Sequence, residues 1–285
     1  MPDPVWQIGA QLGEGPMWDQ RERALYFVDT KGGCVHRWHP ESSVGTSAHV
    51  GGAPSFIVPA TRGRLVVGSN LGLYAFCDGV LGEQLMHIPQ PEGHRTNDAT
   101  VDADGRLWVG TMDNAEIGCT GAVWCLVDGV LARVGGEAIV TNGPAVDDRM
   151  GILYHVDTLQ RRIWRFRLRE EPMLRDGEIV VELRADEGYP DGIVVDDEGC
   201  LWVALWDGWG VRRYAPDGTL LLHVPFPCAR VTKLAFGSPD LRTAFVTTAR
   251  IGLDASALAR QPLAGSLFAF EAPVRGRPLP EARIP

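Results

Sequence analysis

One short pattern recurs six times along the chain, and it limits the possible folds more than any other feature. The runs are ALYFVDT, RLVVGSN, RLWVGTM, ILYHVDT, CLWVALW and TAFVTTA. Each is rich in branched and aromatic residues, which suit a pleated, buried strand. Their second residues, Leu25, Leu65, Leu107, Leu153, Leu201 and Ala244, lie 40 to 48 residues apart. That period matches a four-stranded propeller blade. Asp- and Gly-rich turns precede several of the runs, as at Asp102–Gly105 and Asp196–Gly199, and supply the positive φ that tight turns need. After each run come further alternating segments, such as GCVHRWHP, GLYAFCDG and GSLFAFE. The expectation is a six-bladed all-β propeller with four-stranded antiparallel blades, spanning 1–285 as one domain. A closed ring protects sheet edges without capping repeats, which a linear solenoid would require. The N-terminal VWQIGA is expected to supply the strand that closes the ring, and a short helix capped by Asp254 is expected near Asp254–Arg260.

Charge and composition exclude several function classes. The net charge of −9 over 285 residues disfavours nucleic acid and anionic membranes as partners. No apolar run approaches the ~18 residues of a membrane helix. The first residues lack a basic region followed by an apolar stretch, so a cytoplasmic monomer is expected. The six cysteines form no C-x-x-C pair, and free buried thiols are expected. There is no G-x-S-x-G elbow, P-loop or dinucleotide fingerprint, which argues against serine-nucleophile and nucleotide chemistry.

The polar residues that stand out share one phase of the repeat. Ten or eleven residues before the markers stand Glu14, Asn97, Asn142, Asp191 and Lys233, with Arg95 two residues before Asn97; in the second repeat Pro54 and Ser55 occupy the position. In a propeller this phase is the start of the innermost strand, so these residues should meet on the ring axis. Any one Asn-Gly or Asp-Gly is ordinarily only a turn; the shared phase is what points to a site. Glu14, Asn142 and Asp191 offer oxygen donors, which suit hard divalent ions such as Ca²⁺, Mg²⁺ or Mn²⁺. No histidine falls in this phase, which disfavours a closed structural zinc site. Arg95 and Asn97 have the donors and acceptors to hold a polyhydroxylated ligand; the alternative for Arg95 is a loop ion pair with Asp98. Lys233 serves equally well as a donor to a ligand hydroxyl or as the partner of a carboxylate.

The segments LGEGPMWD, RTNDATVDADGRLWVGTM, VTNGPAVDD, YPDGIVVDDEGCLWVALW and QPLAGSLF together resemble the regucalcin/gluconolactonase family, the senescence marker protein-like sugar lactonases. The resemblance covers nearly the whole chain in order. It implies a six-bladed propeller with one divalent metal ion (Ca, Mn, Mg, Zn or Fe(II)) held by Glu14, Asn142 and Asp191. It implies Asp191 as the acid/base residue, and Arg95 and Asn97 as contacts to the sugar. Two departures stand out. The third motif reads Asn97-Asp98-Ala99 where the family often has N-D-G, and Glu116 matches a substrate-contacting glutamate only if its loop is shifted by one residue. The expected reaction is opening of a small aldonolactone, such as xylonolactone or gluconolactone, to the acid. Hydrolysis of aryl esters or phosphotriesters, and a non-enzymatic calcium-binding propeller, are the alternatives.

Overall fold

The computed structural model describes residues 2–169 and 171–284. Among them are six four-stranded antiparallel sheets. The innermost strands of blades 1 to 6 are Gly13–Asp19, Pro54–Ala60, His94–Val101, Thr141–Asp147, Tyr189–Val195 and Val231–Gly237. Each packs beside the next, and the sixth packs beside the first, so the blades form a closed ring. The six recurrent runs are the second strands, from Ala24–Asp29 in blade 1 to Thr243–Thr248 in blade 6. The fold therefore agrees with the repeat-based expectation.

Burial explains why the runs read as they do. The innermost strands of blades 1 and 2 are buried along their whole length, whereas the outermost strand of blade 1, Val44–His49, is largely exposed. Second strands lie between two sheets and carry apolar residues on both faces. The apolar clusters sit between neighbouring blades. Ile57, Val67 and Phe76 of blade 2 meet Met17, Tyr26 and Val28 of blade 1. Trp202 of blade 5, Phe236 and Phe245 of blade 6, and Trp18 and Phe27 of blade 1 join one larger cluster. Two turns repeat one device. The Asp102 carboxylate accepts from Trp108 Nε1 at 2.8 Å, and the Asp196 carboxylate accepts from Trp202 Nε1 at 2.9 Å.

The ring is closed by the start of the chain. Asp3–Trp6 pairs with Leu267–Glu271 as the outermost strand of blade 6, so the closing strand includes Val5 and Trp6 but ends before Gln7. Trp6 then stacks on Trp38 of blade 1 with ring centroids 5.7 Å apart. At the far end of the channel the last residues cross beneath the ring. Gly276 bridges to Asp196 of blade 5, Ala282 bridges to Ala60 of blade 2, and Arg277 Nη1 lies 2.7 Å from Asp147 Oδ1 of blade 4. This strap and the innermost strands enclose a cavity of about 100 Å³.

The helix Ala255–Arg260 forms as expected, with the Asp254 carboxylate accepting from the Ala257 N–H. The cysteines are free, but they are not uniformly buried: Cys125, Cys200 and Cys228 are, Cys34 is half-buried, and Cys77 and Cys119 are exposed. Cys77 ends a third strand and Cys119 lies in a loop, where no second sheet covers them. No helix among the described residues is long and apolar enough to cross a membrane.

Candidate active site

All six innermost strands lose register near their starts. In blade 1 Glu14 pairs with Val28, but the next partners are Met17 and Tyr26. The same one-residue excess falls between Thr96 and Ala99, between Asn142 and Ala145, and between Pro190 and Ile193. Blades 2 and 6 show it at Pro54/Phe56 and Val231/Lys233. A bulge of this kind bends a strand and re-aims its side chains. Gly-Pro and Asp-Gly pairs provide the local chemistry. Gly15 adopts φ +52°, and a Cβ there would lie 2.8 Å from the Phe56 Cα of blade 2. Gly143 adopts φ +66°, a conformation glycine tolerates without steric cost.

The bulges bring Glu14, Arg95, Asn97, Asn142, Asp191 and Lys233 into one buried cluster, together with Asp98. A hydrogen-bonded chain links three of them. Arg95 Nη1 donates to Asn97 Oδ1 at 2.6 Å, and Asn97 Nδ2 donates to Asn142 Oδ1 at 3.0 Å and to the Thr141 carbonyl at 2.7 Å. Asn142 Nδ2 in turn donates to Thr158 Oγ1 at 2.9 Å. This fixes both amides, and it turns the Asn142 oxygen toward Asn97. Arg95 does not pair with Asp98. Its second hydrogen bond goes to the Thr96 carbonyl at 2.9 Å, and the partner of Asp98 is Lys233. Of the two roles open to Lys233, the structure shows pairing with a carboxylate.

The second-repeat position holds a structural hydroxyl. Ser55 Oγ lies 2.7 Å from Thr96 Oγ1 and donates to the Gly68 carbonyl, knitting blades 2 and 3 together. Glu116 sits at the mouth, exposed, in the loop after the second strand of blade 3. Its charge reaches Arg95.

The carboxylates are electrostatically uncomfortable. Burial pushes Glu14 up to about 8, with Asp98 adding to the rise, while Lys233, the Gly15 N–H and Arg95 act against it. Burial also raises Asp191 well above the usual carboxylate range, followed by repulsion from Glu14 and Asp98. Asp191 Oδ1 is buried without a hydrogen-bond partner. Burial lowers the Arg95 pKa, against the pull of Glu14, Glu116 and Asp191. Among the described residues no group of three or more His, Cys, Asp and Glu side chains is arranged to hold a metal. The candidate set is two carboxylates with an amide oxygen as the third donor.

Asp98 and Thr158 belong to the cluster, although periodicity gives them no role. In a regular strand neighbouring side chains face opposite ways. The bulge lets Asn97 and Asp98, adjacent in sequence, both reach partners across blades. The only sequence signal is the polar triplet Thr96-Asn97-Asp98 in a strand otherwise expected to alternate.

The family profile described as the SMP-30/Gluconolactonase/LRE-like region matches residues 12–250. A 6-deoxy-6-sulfogluconolactonase of Pseudomonas putida is 34% identical over 269 residues, covering 93% of this chain and 92% of its own length. A pentonolactonase of Haloferax volcanii is 33% identical over 285 residues, covering 96% and 95%. A crystal structure of a calcium-binding protein, regucalcin, from Agrobacterium tumefaciens superposes with a TM-score of 0.94 at 26% identity, covering 100% of this chain and 98% of the other. The chain belongs to the SMP-30/gluconolactonase/LRE-like family.

Proposed function

We propose that this protein is a metal-dependent hydrolase that opens a small sugar lactone to its aldonic acid. The observation that carries the reading is the pair of buried carboxylates, Glu14 and Asp191, which repel each other while Asp191 Oδ1 has no partner. The nearby cations are already engaged, Lys233 by Asp98 and Arg95 by Asn97 and Thr96. A divalent cation bound by oxygen donors would relieve both the repulsion and the desolvation. Glu14, Asn142 and Asp191 would hold it, with two carboxylate charges balancing one ion. Lactonases among the relatives support the reaction class.

When bound, the ion supplies Lewis acidity toward the carbonyl and compensates the charge that develops on its oxygen. The Asp191 carboxylate, with one oxygen toward the ion, would accept the proton of the attacking water on the other and return it to the leaving ring oxygen. Arg95 orients sugar hydroxyls with the guanidinium N–H groups not used by Asn97. Asn97 spends its amide on Arg95, Thr141 and Asn142, so it holds the donors in place and offers substrate only its remaining lone pair. Glu116 meets the substrate at the mouth.

The test is a pH-stat screen of aldonolactones, beside an aryl ester and an organophosphate, on chelator-stripped protein with single divalent ions restored. Metal-dependent turnover of an aldonolactone above spontaneous hydrolysis is expected. Turnover of the ester or organophosphate alone, or binding of the ion without turnover of any substrate, would reject the reading.

A further inference from the structure

We propose that the buried Asp98–Lys233 ion pair is a positioning clamp, which holds the Asn142–Gly143 and Asp191–Gly192 bulges in the geometry that binds the metal. The inference rests on the metal reading above and assigns these two residues a role in it. The pair joins blades 3 and 6, across 135 residues of sequence, with side-chain exposures of only 2% and 10%. Each end touches a different bulge. The Lys233 methylenes lie flat on Gly192, where an added Cβ would be 2.5 Å from Lys233 Cγ and 2.6 Å from its Cβ. Gly192 follows Asp191 directly. The Asp98 carboxylate accepts from the Ala99 N–H at 2.7 Å and faces the Gly143 N–H, although its Oδ2 completes no full hydrogen bond. Gly143 follows Asn142 directly. Glu14 is outside the clamp, because its neighbour Gly15 rests instead on Ser55 and Phe56 of blade 2.

Neither stability nor field strength accounts for the pair. Two buried ions cost several kcal/mol each to desolvate, and an apolar pair of similar volume is often as stable. Electrostatically its two members oppose each other: Asp98 raises both Glu14 and Asp191, and Lys233 lowers both. Its two contacts act in the same sense. Each fixes the backbone next to a candidate ligand, and ligand orientation by supporting groups is worth about 10–100-fold in metal affinity.

The experiment measures the Kd of Mn²⁺ and of Ca²⁺, each alone, by calorimetry on chelator-stripped protein. The variants are Lys233→Met, Asp98→Asn, Asp98→Ala and the double variant Asp98→Asn/Lys233→Met, with Tm and circular dichroism recorded for each. If the pair acted through charge, Lys233→Met would tighten binding, Asp98→Asn would weaken it, and the charge-neutral double variant would match the unaltered chain. As a clamp, its loss weakens binding in all of them, by about tenfold or more. Asp98→Asn, which keeps an oxygen facing Gly143, should lose less than Asp98→Ala. Asp196→Asn breaks the buried pair with Arg213 at the other end of the blades, and should lower Tm while leaving the Kd unchanged. Opposite signs for the two single variants, or a double variant with unchanged Kd, would overturn the clamp and leave the metal reading intact. An unaltered chain that binds no ion, or binds one undiminished by Glu14→Gln, would overturn both.

Discussion

The acid/base role proposed for Asp191 is the most specific task assigned to any single residue here, and its amide is the sharpest probe of it. Asp191→Asn preserves shape and removes the proton acceptor. We expect the fold to survive and kcat to fall by about 10²-fold or more, the usual share of a general base; initial rates by pH-stat will check this, and near-normal turnover would refute the role. Arg95→Ala should act mainly on KM, since the side chain binds rather than transfers protons. Two buried histidines, His36 and His155, weaken the fold in acid, since burial lowers the pKa of each to about 4. His36 is buried against Trp6 and Phe27, and burial lowers its pKa to about 4. A histidine depressed from ~6.5 in the unfolded chain stabilises the fold above that value, and the contribution disappears as pH falls through about 4. It amounts to roughly 3 kcal/mol at ~1.36 kcal/mol per pKa unit. His36→Gln should therefore flatten the fall in Tm between pH 6.5 and 4. An acid limb as steep as that of the unaltered chain would exclude His36 as its source. The phase of the repeat made Glu14, Asn142, Asp191, Arg95 and Asn97 legible. Asp98 stayed hidden because a bulge breaks the alternation on which such reading depends.

At the scale of elements, the bulge in each innermost strand is the feature that turns a repeat into a site. Its demands on sequence are steric. At Gly15 a methyl group would meet both the Phe56 Cα at 2.8 Å and the Ser55 carbonyl at 3.0 Å, at a φ of +52°. Gly15→Ala should destabilise by more than ~1 kcal/mol, because positive φ and close backbone both oppose it, and should weaken metal binding by displacing Glu14. Thermal melts with calorimetry will test the two effects, and an unchanged Kd would show that the bulge does not set the position of Glu14. The strands themselves were legible from their branched and aromatic runs. The bulges were not, since pairing register is a property of two strands and the sequence shows one at a time. The Asp-to-Trp turns are intermediate: Asp102 with Trp108 and Asp196 with Trp202 share one spacing, readable once the indole N–H is seen to need an acceptor.

The molecule as a whole is held shut by its own first residues. Trp6 covers Gly45, stacks on Trp38 and meets Phe27 edge-on at 5.8 Å. It thereby joins the outer edge of blade 6 to blade 1. Trp6→Ala should cost ~3 kcal/mol, at the low end for a buried aromatic because Trp6 is only half-buried. Deleting residues 2–6 should cost more. Differential scanning calorimetry will measure both, and a deletion that melts like the unaltered chain would show that blade 6 is complete with three strands. The ring itself was legible from six evenly spaced runs. The strap from Gly276 to Ile284 was not, because it has no repeat and makes its contacts through isolated bridges and the Arg277–Asp147 pair.

Closure by the N-terminal strand also orders the birth of the protein. Residues 3–6 leave the ribosome before every other strand of the ring, yet the strand they pair with, Leu267–Glu271, is made after all the others. That segment must therefore wait, unpaired, while the other strands are made. Blades 1 to 5 can assemble in sequence as they emerge, but blade 6 is complete only once Leu267–Glu271 has been made. The nascent propeller is an open chain of sheets with two exposed ends, and its closing step joins segments more than 250 residues apart.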